Sequence, residues 1–438
     1  MNYAETTLYL FSQLPQFEKD GAKGYKEGLQ NSLALDAHFG YPHRSFRTIH
    51  VAGTNGKGSC SHSLAAILQT CGYRVGLYTS PHLVDFRERI RINGHPISED
   101  YVVGFVEHER HFFESLHPTF FELATAMAFK YFSDMKVDIA VIEVGLGGRL
   151  DCTNIITPML SVITNISFDH TQFLGDTLAK IAAEKAGIIK RGIPVVIGET
   201  TAETRPVFEE KAKSNNAPLV FAEDEKEVLG AEPQPDGTIL YHTLHYGELK
   251  GELGGLYQTK NTNTVLCAIR QLEQLGILCR CTMPENQHQC QEEINDALLH
   301  VCQLTGLQGR WQTIRRNPLV ICDTGHNLAG WEYLSRQLKE VKCRHMHIVF
   351  GMVDDKDVDN VMKLLPTNAS YYFTKADNHR AISEHVLLEK GLQNGLSSSA
   401  FDTVEEAYRT AFDTASTDDF IFVGGSSYVV ADFLKKCI

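Results

Sequence analysis

Short apolar runs rich in β-branched residues alternate with helical patterns through the N-terminal two thirds of the chain. This alternation predicts a mostly parallel sheet with helices on both faces. The segment Ile92-Asn93-Gly94-His95 predicts a hairpin turn inserted into the pattern. The predicted strands are 47–51, 75–78, 137–144, 160–164 and 194–198, and the predicted helices include 60–71, 121–132 and 178–186.

A second alternating unit follows near the C-terminus. Before it, residues 238–246 predict an antiparallel strand at the edge of the first sheet, and helices are predicted at 262–275 and 290–304. We therefore predict two α/β domains, 1–304 and 305–438, the second being a smaller Rossmann-like unit. Its predicted strands are 319–323, 345–350, 371–374 and 420–423.

Composition excludes several classes of protein. The chain has 438 residues, 43% hydrophobic and 22% charged, with a net charge of −13 and no dense run of Lys or Arg, which is untypical of a nucleic-acid binder. No apolar stretch reaches the roughly 18 residues of a membrane span, and the first residues lack the basic and apolar segments of a secretory signal. We expect a cytoplasmic monomer that does not act at a membrane.

The strongest chemical signal is the glycine-rich segment 53–59, between a predicted strand and a predicted helix. Glycines let backbone N–H groups turn toward phosphate oxygens, and the helix N-terminus adds a positive dipole. Lys57 is expected to reach the β- and γ-phosphates and Ser59 to bind Mg²⁺. An ordinary glycine turn is the alternative interpretation. The nucleotide-binding residues predicted here are Thr54, Asn55, Gly56, Lys57, Gly58 and Ser59.

Polar residues follow three further predicted strands. Glu143 ends an apolar run before a glycine-rich loop, and a carboxylate there lies where ligands bind in parallel sheets and suits a metal ion. His170 follows another strand, which we expect to bring it beside Glu143, although a lone histidine is often only a satisfied polar residue. Ser80 follows a third strand and by itself would be an ordinary turn residue.

Two other segments permit simple structural interpretations. Lys185 ends a helix before Gly187, where a lysine complements the helix dipole and glycine terminates the helix. Asp323 ends the first strand of the second unit, although an Asx turn has a similar sequence. The residues alone do not decide between these roles and functional ones.

Taken in order, these segments resemble the folylpolyglutamate synthase/dihydrofolate synthase family of the Mur ligase superfamily. Each segment alone is weak, whereas the ordered set covers nearly the whole chain and is specific. The matching segments are 50–59, 79–83, 86–90, 119–122, 143–154, 167–170, 184–190, 309–310, 323–327, 355–357 and 425–426.

The resemblance implies an ATPase domain, a glutamate-ligase domain and ATP in the cleft between them. It also implies that Lys185 is carbamylated, that Lys57, Lys185 and His170 are catalytic, and that Ser59, Ser80, Glu143 and His170 are metal ligands. By the same resemblance the nucleotide also contacts Asn261, Arg310, Asp323 and His326, and the acceptor substrate contacts Thr119, Phe121, Glu122, Leu150, Asp151 and Cys152.

The sequence departs from the family pattern at three places. The second-unit motif has Gly325 and Leu328 where alanine and proline are usual, and Gln308 stands where proline is usual. The segment around 28–30, which matches the family's N-terminal pterin-binding segment only faintly, lacks the usual arginine.

The implied activity is ATP-dependent ligation of L-glutamate to dihydropteroate, to reduced folates or to both, through an acyl phosphate. The sequence leaves the choice of acceptor open. A cell-wall ligase that adds an amino acid to a nucleotide-linked peptide is the alternative within the fold, and motifs 119–122 and 149–151 argue against it. A regulatory nucleotide switch would leave the second α/β unit unexplained.

Overall fold

The computed structural model describes residues 1–15, 28–278, 287–354 and 356–438. Asp355, which begins one of the family-like motifs, lies outside these ranges. The described residues form two compact units. The first comprises Met1–Glu252 and Gln258–Leu307, and the second comprises Leu253–Tyr257 and Gln308–Ile438.

The first unit is built on an eight-stranded sheet. Its strands lie in the order β4-β3-β2-β5-β1-β6-β7-β8, and pairing is parallel from β2 through β8. The strands are β1 (Arg47–Ala52), β2 (Val75–Tyr78), β3 (Ile90–Ile92), β4 (His95–Pro96), β5 (Ile139–Glu143), β6 (Leu160–Ile163), β7 (Val195–Ile197) and β8 (Leu219–Phe221).

A separate antiparallel sheet contains β9 (Val228–Pro233), β10 (Ile239–Thr243) and β11 (Glu248–Gly251). The sequence-based assignment of 238–246 to the edge of the main sheet was therefore wrong, because β10 pairs with β9 and β11 instead. The predicted turn at Asn93-Gly94 is confirmed, and both residues have positive φ, as a tight hairpin requires.

Helices cover the sheet of the first unit. The helix Phe120–Asp134 begins at a reciprocal capping box, which its residue Glu122 forms with the preceding residue Thr119. The predicted helix 290–304 is two helices that meet at His300. The described helices of this unit are α1 (Tyr3–Gln13), α2 (Gln30–His38), α3 (Lys57–Thr70), α4 (Glu99–Leu116), α5 (Phe120–Asp134), α6 (Thr171–Leu174), α7 (Leu178–Lys185), α8 (Arg205–Ser214), α9 (Ala222–Glu225), α10 (Gln258–Gln274), α11 (Gln287–Leu299) and α12 (Val301–Thr305).

Two apolar clusters hold these layers together. One includes Phe113 and Phe132, and the other includes Ile163, Ile181 and Phe208, all fully buried. Burial of each such side chain contributes about 1.5–3 kcal/mol. The clusters therefore hold the helices α5 and α7 against the sheet.

The second unit contains a six-stranded sheet in the order β12-β13-β17-β14-β15-β16, parallel except for β12. Trp331 is fully buried and packs edge-on against Phe350 and Phe422. The strands are β12 (Gln312–Arg316), β13 (Leu319–Asp323), β14 (Met346–Phe350), β15 (Ala369–Thr374), β16 (Ser397–Phe401) and β17 (Phe420–Gly424). The helices are α13 (Leu328–Glu340), α14 (Val358–Leu364), α15 (Glu384–Gln393), α16 (Val404–Thr414) and α17 (Ser427–Lys436).

The predicted fold class is confirmed: each unit is a helix-covered, mostly parallel sheet. Within the described ranges, every helix is too short or too polar to cross a membrane.

Candidate active site

The phosphate-binding loop leads directly from β1 into α3. Gly53 has φ +148° and Gly56 has φ +81°, a region that side chains with a Cβ rarely occupy. A Cβ at Gly53 would lie 1.8 Å from Thr164 Oγ1, and one at Gly56 would lie 2.3 Å from Asn261 Oδ1. The loop backbone thus lies against these two side chains, and neither glycine position has room for a side chain. Such a close-packed glycine backbone is typical of loops that bind phosphate through their N–H groups.

Two lysines converge on one carbonyl of this loop. Lys57 Nζ donates to the Gly53 and Thr54 carbonyls at 3.1 Å each, and Lys185 Nζ donates to Gly53 O at 2.9 Å. Lys185 is 4% exposed. Burial, together with the positive charge of Lys57, lowers the pKa of Lys185 to about 7. A large fraction of Lys185 is therefore a neutral, nucleophilic amine near neutral pH.

Oxygen donors lie at the ends of β2 and β5. Glu143 is 3% exposed, and its Oε2 accepts a hydrogen bond from the Ser80 backbone N–H at 3.3 Å. Ser59 Oγ, buried in the first turn of α3, accepts from Gln258 Nε2 at 3.1 Å. Carboxylate and hydroxyl oxygens are the hard donors that Mg²⁺ prefers.

This set of donors fits an Mg²⁺ ion that is bound mainly through phosphate oxygens of the substrate. The described residues contain no group of three or more His, Cys, Asp or Glu side chains that could hold a metal ion. Mg²⁺ typically takes one or two carboxylates and completes its shell with phosphate oxygens and water. A site with Glu143 and serine hydroxyls has this character.

His170 directly precedes the short helix α6, in the segment that follows β6. Glu143 ends β5, and β1 lies between β5 and β6, so the two residues follow strands on either side of the strand that carries the phosphate loop. His170 has φ +49°, and its backbone N–H donates to Asp169 Oδ1 at 2.9 Å. The proximity of His170 to Glu143 stays a prediction, because strand order alone does not fix where a residue lies once the strand has ended.

The residues predicted to contact the acceptor lie in two short segments, 119–122 and 150–152. Thr119 N donates to Glu122 Oε2 at 2.7 Å, and Asn31 Nδ2 donates to the same oxygen at 3.2 Å. The Phe121 ring lies 5.8 Å from that of Tyr78. Leu150 and Cys152 are partly buried and flank the buried Asp151. Thr119, Glu122 and Asp151 thus all have structural hydrogen bonds.

The corresponding edge of the second sheet is centred on Asp323, which is 2% exposed. Its carboxylate accepts from Tyr257 OH at 2.6 Å, from Trp311 N at 2.7 Å and from Gly325 N at 2.8 Å. Burial raises the pKa of Asp323, although these three donors oppose the shift.

Two other predicted nucleotide residues lie beside Asp323. Arg310 donates to the Gly309 carbonyl at 3.1 Å and also to Thr324 Oγ1. His326 Nδ1 lies 3.1 Å from the Thr324 carbonyl. Both side chains are partly buried, and their hydrogen bonds to the loop fix their direction.

Several residues at the edges of the two sheets were not predicted from the sequence. Gln258 links Ser59 to Asn261, whose Nδ2 donates to Gln258 Oε1 at 2.9 Å. Thr164 packs on Gly53, and Tyr257 binds Asp323. A buried polar residue that starts a helix, as Gln258 does, was the available signal, but its partners are distant in sequence.

Comparison with known proteins identifies the class. The family model of the Mur ligase middle domain matches residues 51–269, and that of the Mur ligase glutamate ligase domain matches residues 309–427. Together with the phosphate loop and the two parallel sheets, these matches define a Mur-type ligase.

Individual relatives narrow the assignment. Bacillus subtilis (strain 168) dihydrofolate synthase/folylpolyglutamate synthase is 33% identical over 425 residues, covering 94% of this chain and 95% of the relative. Escherichia coli FolC in complex with DHPP and ADP has a TM-score of 0.81 at 30% identity, and Mycobacterium tuberculosis folylpolyglutamate synthase complexed with ADP has 0.85 at 28%. Each comparison covers 99% of this chain and 97% of the other. The chain belongs to the dihydrofolate synthase/folylpolyglutamate synthase family.

The resemblance predicted from sequence is confirmed by these matches. As a member of this family, the protein is an ATP-dependent ligase that adds glutamate to folates and uses Mg²⁺.

Proposed function

We propose that the carboxyl edge of the first sheet is the site of phosphoryl transfer in this ligase. The observation that carries the proposal is the convergence of Lys57 and Lys185 on the Gly53 carbonyl, within a glycine loop that starts a helix. Thr54, Asn55, Gly56 and Gly58 supply the loop around the phosphates, and Asn261 supports it from α10.

The reaction needs activation of a carboxylate, because a carboxylate does not react with an amine at a useful rate. The acceptor carboxylate takes the γ-phosphoryl group of ATP, ADP leaves, and an acyl phosphate forms. The glutamate amine then attacks the acyl carbon, loses a proton, and displaces phosphate to leave the amide. Lys57 would stabilise charge on the transferring group, since the catalysis of phosphoryl transfer consists mostly of positioning and charge neutralisation.

Ser59, Ser80, Glu143 and His170 are proposed to hold Mg²⁺, which supplies charge stabilisation on phosphate oxygens when bound. The three oxygen donors fit the preference of Mg²⁺ better than the imidazole does. We likewise propose that the nucleotide contacts Arg310, Asp323 and His326. Residues 1–304 are proposed to form the ATPase domain, and residues 305–438 the glutamate-ligase domain.

Lys185 is proposed to act as a carbamate. Its Nζ is buried and has a pKa of about 7, so a neutral amine is available to attack CO₂ and lose a proton, giving a carbamate anion. An anion here would also offset the positive charge of Lys57. The test is Lys185→Ala with and without a short carboxylic acid: we expect reduced turnover that the acid partly restores.

Unchanged turnover in Lys185→Ala would remove any catalytic role for this lysine. Reduced turnover without rescue would leave the amine, and not a carbamate, as the active form. Mass spectrometry under added ¹³CO₂ with chemical trapping gives an independent readout of the modification.

The acceptor is proposed to bind against Thr119, Phe121, Glu122, Leu150, Asp151 and Cys152. Glu122 and Cys152 line a narrow cavity that also contacts Ser32, Asp36 and Phe129. An aromatic wall with buried carboxylates suits a flat heterocycle with N–H donors. Dihydropteroate and reduced folates both carry such a ring, so we propose an acceptor of the class that shares this flat heterocycle.

The deciding experiment is ATP turnover with glutamate plus dihydropteroate, tetrahydrofolate or neither. We expect turnover with at least one acceptor and little without it. Turnover that is independent of both glutamate and acceptor would contradict the proposal.

We propose that the protein acts as a cytoplasmic monomer on small molecules, without nucleic acid or membrane partners. Light scattering coupled to size-exclusion chromatography tests the oligomeric state against the chain mass of 49.0 kDa.

A further inference from the structure

A chain of three buried side chains links the central strand of the first sheet to the loop after β5. His50 lies in β1 and Thr153 in the 3₁₀ turn Cys152–Ile155, and both are fully buried; Asp151, 5% exposed, caps that turn. His50 Nε2 lies 2.8 Å from Thr153 Oγ1, and the Thr153 hydroxyl donates to Asp151 Oδ1. The side chains therefore form a continuous path from β1 to the Asp151 carboxylate.

The direction of this path follows from the number of protons. A threonine hydroxyl has one proton, and Thr153 gives it to Asp151, so Thr153 Oγ1 must accept from His50. His50 is thus the tautomer protonated on Nε2. Burial and the charge of Lys190 lower the pKa of His50 to about 3, which keeps the imidazole neutral at physiological pH.

Asp151 in turn fixes the glycine-rich loop. Its Oδ2 accepts from Leu146 N at 2.8 Å, and its Oδ1 accepts from Thr153 N at 3.0 Å. A Cβ added to Gly145 would lie 2.4 Å from the Phe121 ring and 3.2 Å from Asp151 Oδ2. The loop backbone therefore passes between Phe121 and Asp151, and a rotation of the Asp151 carboxylate would alter the wall that these two residues form.

We propose that His50 and Thr153 are positioning residues for the acceptor pocket, because they fix the orientation of the Asp151 carboxylate beside Phe121. This inference rests on the proposed function, in which Asp151 and Phe121 border that pocket. Neither His50 nor Thr153 contacts the pocket in this role; each acts through Asp151.

The test uses pairs of variants at both positions. His50→Gln keeps an N–H donor near the position of Nε2, whereas His50→Leu removes it; Thr153→Ser keeps the hydroxyl, whereas Thr153→Val removes it with little change in shape. We expect the Leu and Val variants to raise the KM for the acceptor roughly tenfold, as loss of a buried hydrogen bond predicts, with the KM for ATP within about twofold of wild type. The Gln and Ser variants should recover most of the acceptor affinity.

A second histidine–threonine pair in the same unit provides a matched control. His62 Nδ1 lies 2.7 Å from Thr305 Oγ1 and both residues are buried. His62→Leu should lower the melting temperature to a similar extent and leave the acceptor KM unchanged. A rise in the KM for ATP equal to that for the acceptor, or no change in either, in folded His50→Leu would overturn the inference.

The tautomer of His50 can be measured in the wild-type protein, so this test does not depend on a variant. ¹⁵N NMR of histidine-labelled wild-type protein should show His50 protonated on Nε2, and protonation on Nδ1 would overturn the inference even if the variants fail to fold. Asp151→Asn and Phe121→Ala test the pocket separately. If these leave the acceptor KM unchanged, the pocket assignment fails; if they raise it and His50→Leu does not, only the positioning role fails.

Discussion

Lys185 and Asp323 occupy comparable places in the two units, yet their surroundings differ. Each is almost fully buried near the carboxyl edge of a parallel sheet, and burial shifts the pKa of each toward the neutral form. Asp323 accepts three hydrogen bonds that favour its charged form, whereas Lys185 donates to Gly53 O and lies near the like charge of Lys57.

The comparison shows that position at a sheet edge does not by itself define a role. A buried ion that is surrounded by matching donors is a fixed structural element, since its hydrogen bonds compensate for the loss of water. A buried ion beside a like charge has a shifted pKa and is therefore available for chemistry. We expect Lys185 to respond to pH and CO₂, and Asp323 to respond chiefly through stability.

The largest effect is expected at the phosphate loop. Lys57→Ala should reduce ATP turnover roughly a hundred- to a thousand-fold, because a charge that stabilises the transferring group is lost. Its thermal unfolding should remain close to that of wild type. Lys180→Ala, which removes an exposed lysine paired with Asp176, is the control. Near wild-type turnover in folded Lys57→Ala would refute the assignment.

The next prediction concerns the pH dependence of stability. The pKa of Lys185 is about 7 in the folded protein and about 10.5 when unfolded, so the unfolded state binds more protons between these values. The free energy of unfolding should thus gain up to about 1.4 kcal/mol per pH unit from pH 7 toward 10.5. Chemical denaturation of Lys185→Met should lack this contribution.

Lys180→Met, at an exposed position, should retain the pH dependence of wild type. If the free energy of unfolding changes with pH equally in Lys185→Met and in wild type, the pKa of Lys185 is not lowered by folding. The proposed difference between Lys185 and Asp323 would then be wrong.

A smaller effect is expected in the response to Mg²⁺. Glu143→Gln should raise the Mg²⁺ concentration for half-maximal turnover by roughly tenfold, because a hard anionic donor becomes neutral. His170→Ala should have a weaker effect, since imidazole is a less usual ligand for Mg²⁺. Unchanged Mg²⁺ titrations in both variants would contradict the proposed metal site.

The last expected effect, at Tyr257, concerns stability alone. Tyr257→Phe removes one of the three donors to Asp323 and should lower the free energy of unfolding by about 1–3 kcal/mol, since a buried charged group loses a hydrogen bond. Tyr101→Phe removes a similar bond to the more exposed Asp134 and should cost less. Equal losses in the two variants would mean that the Asp323 carboxylate is not specially stabilised.

The amino-acid sequence determined the local features of this protein. The alternation of apolar runs and helical patterns predicted most strands and helices, and the phosphate loop was evident from Gly53, Gly56 and Lys57 because a glycine loop between strand and helix has a local chemical signature. The strands Gln312–Arg316 and Ser397–Phe401 were missed, since polar edge strands lack a continuous apolar run.

Only the tertiary structure decided which distant residues meet. The strand order placed β1 between β5 and β6, and packing brought Gln258 to Ser59 and Lys185 to Gly53. The pKa of Lys185 likewise depends on burial and on Lys57, which no local pattern encodes. Strand order, burial and electrostatic coupling arise from contacts between residues far apart in the chain, so they exist only once the chain is folded.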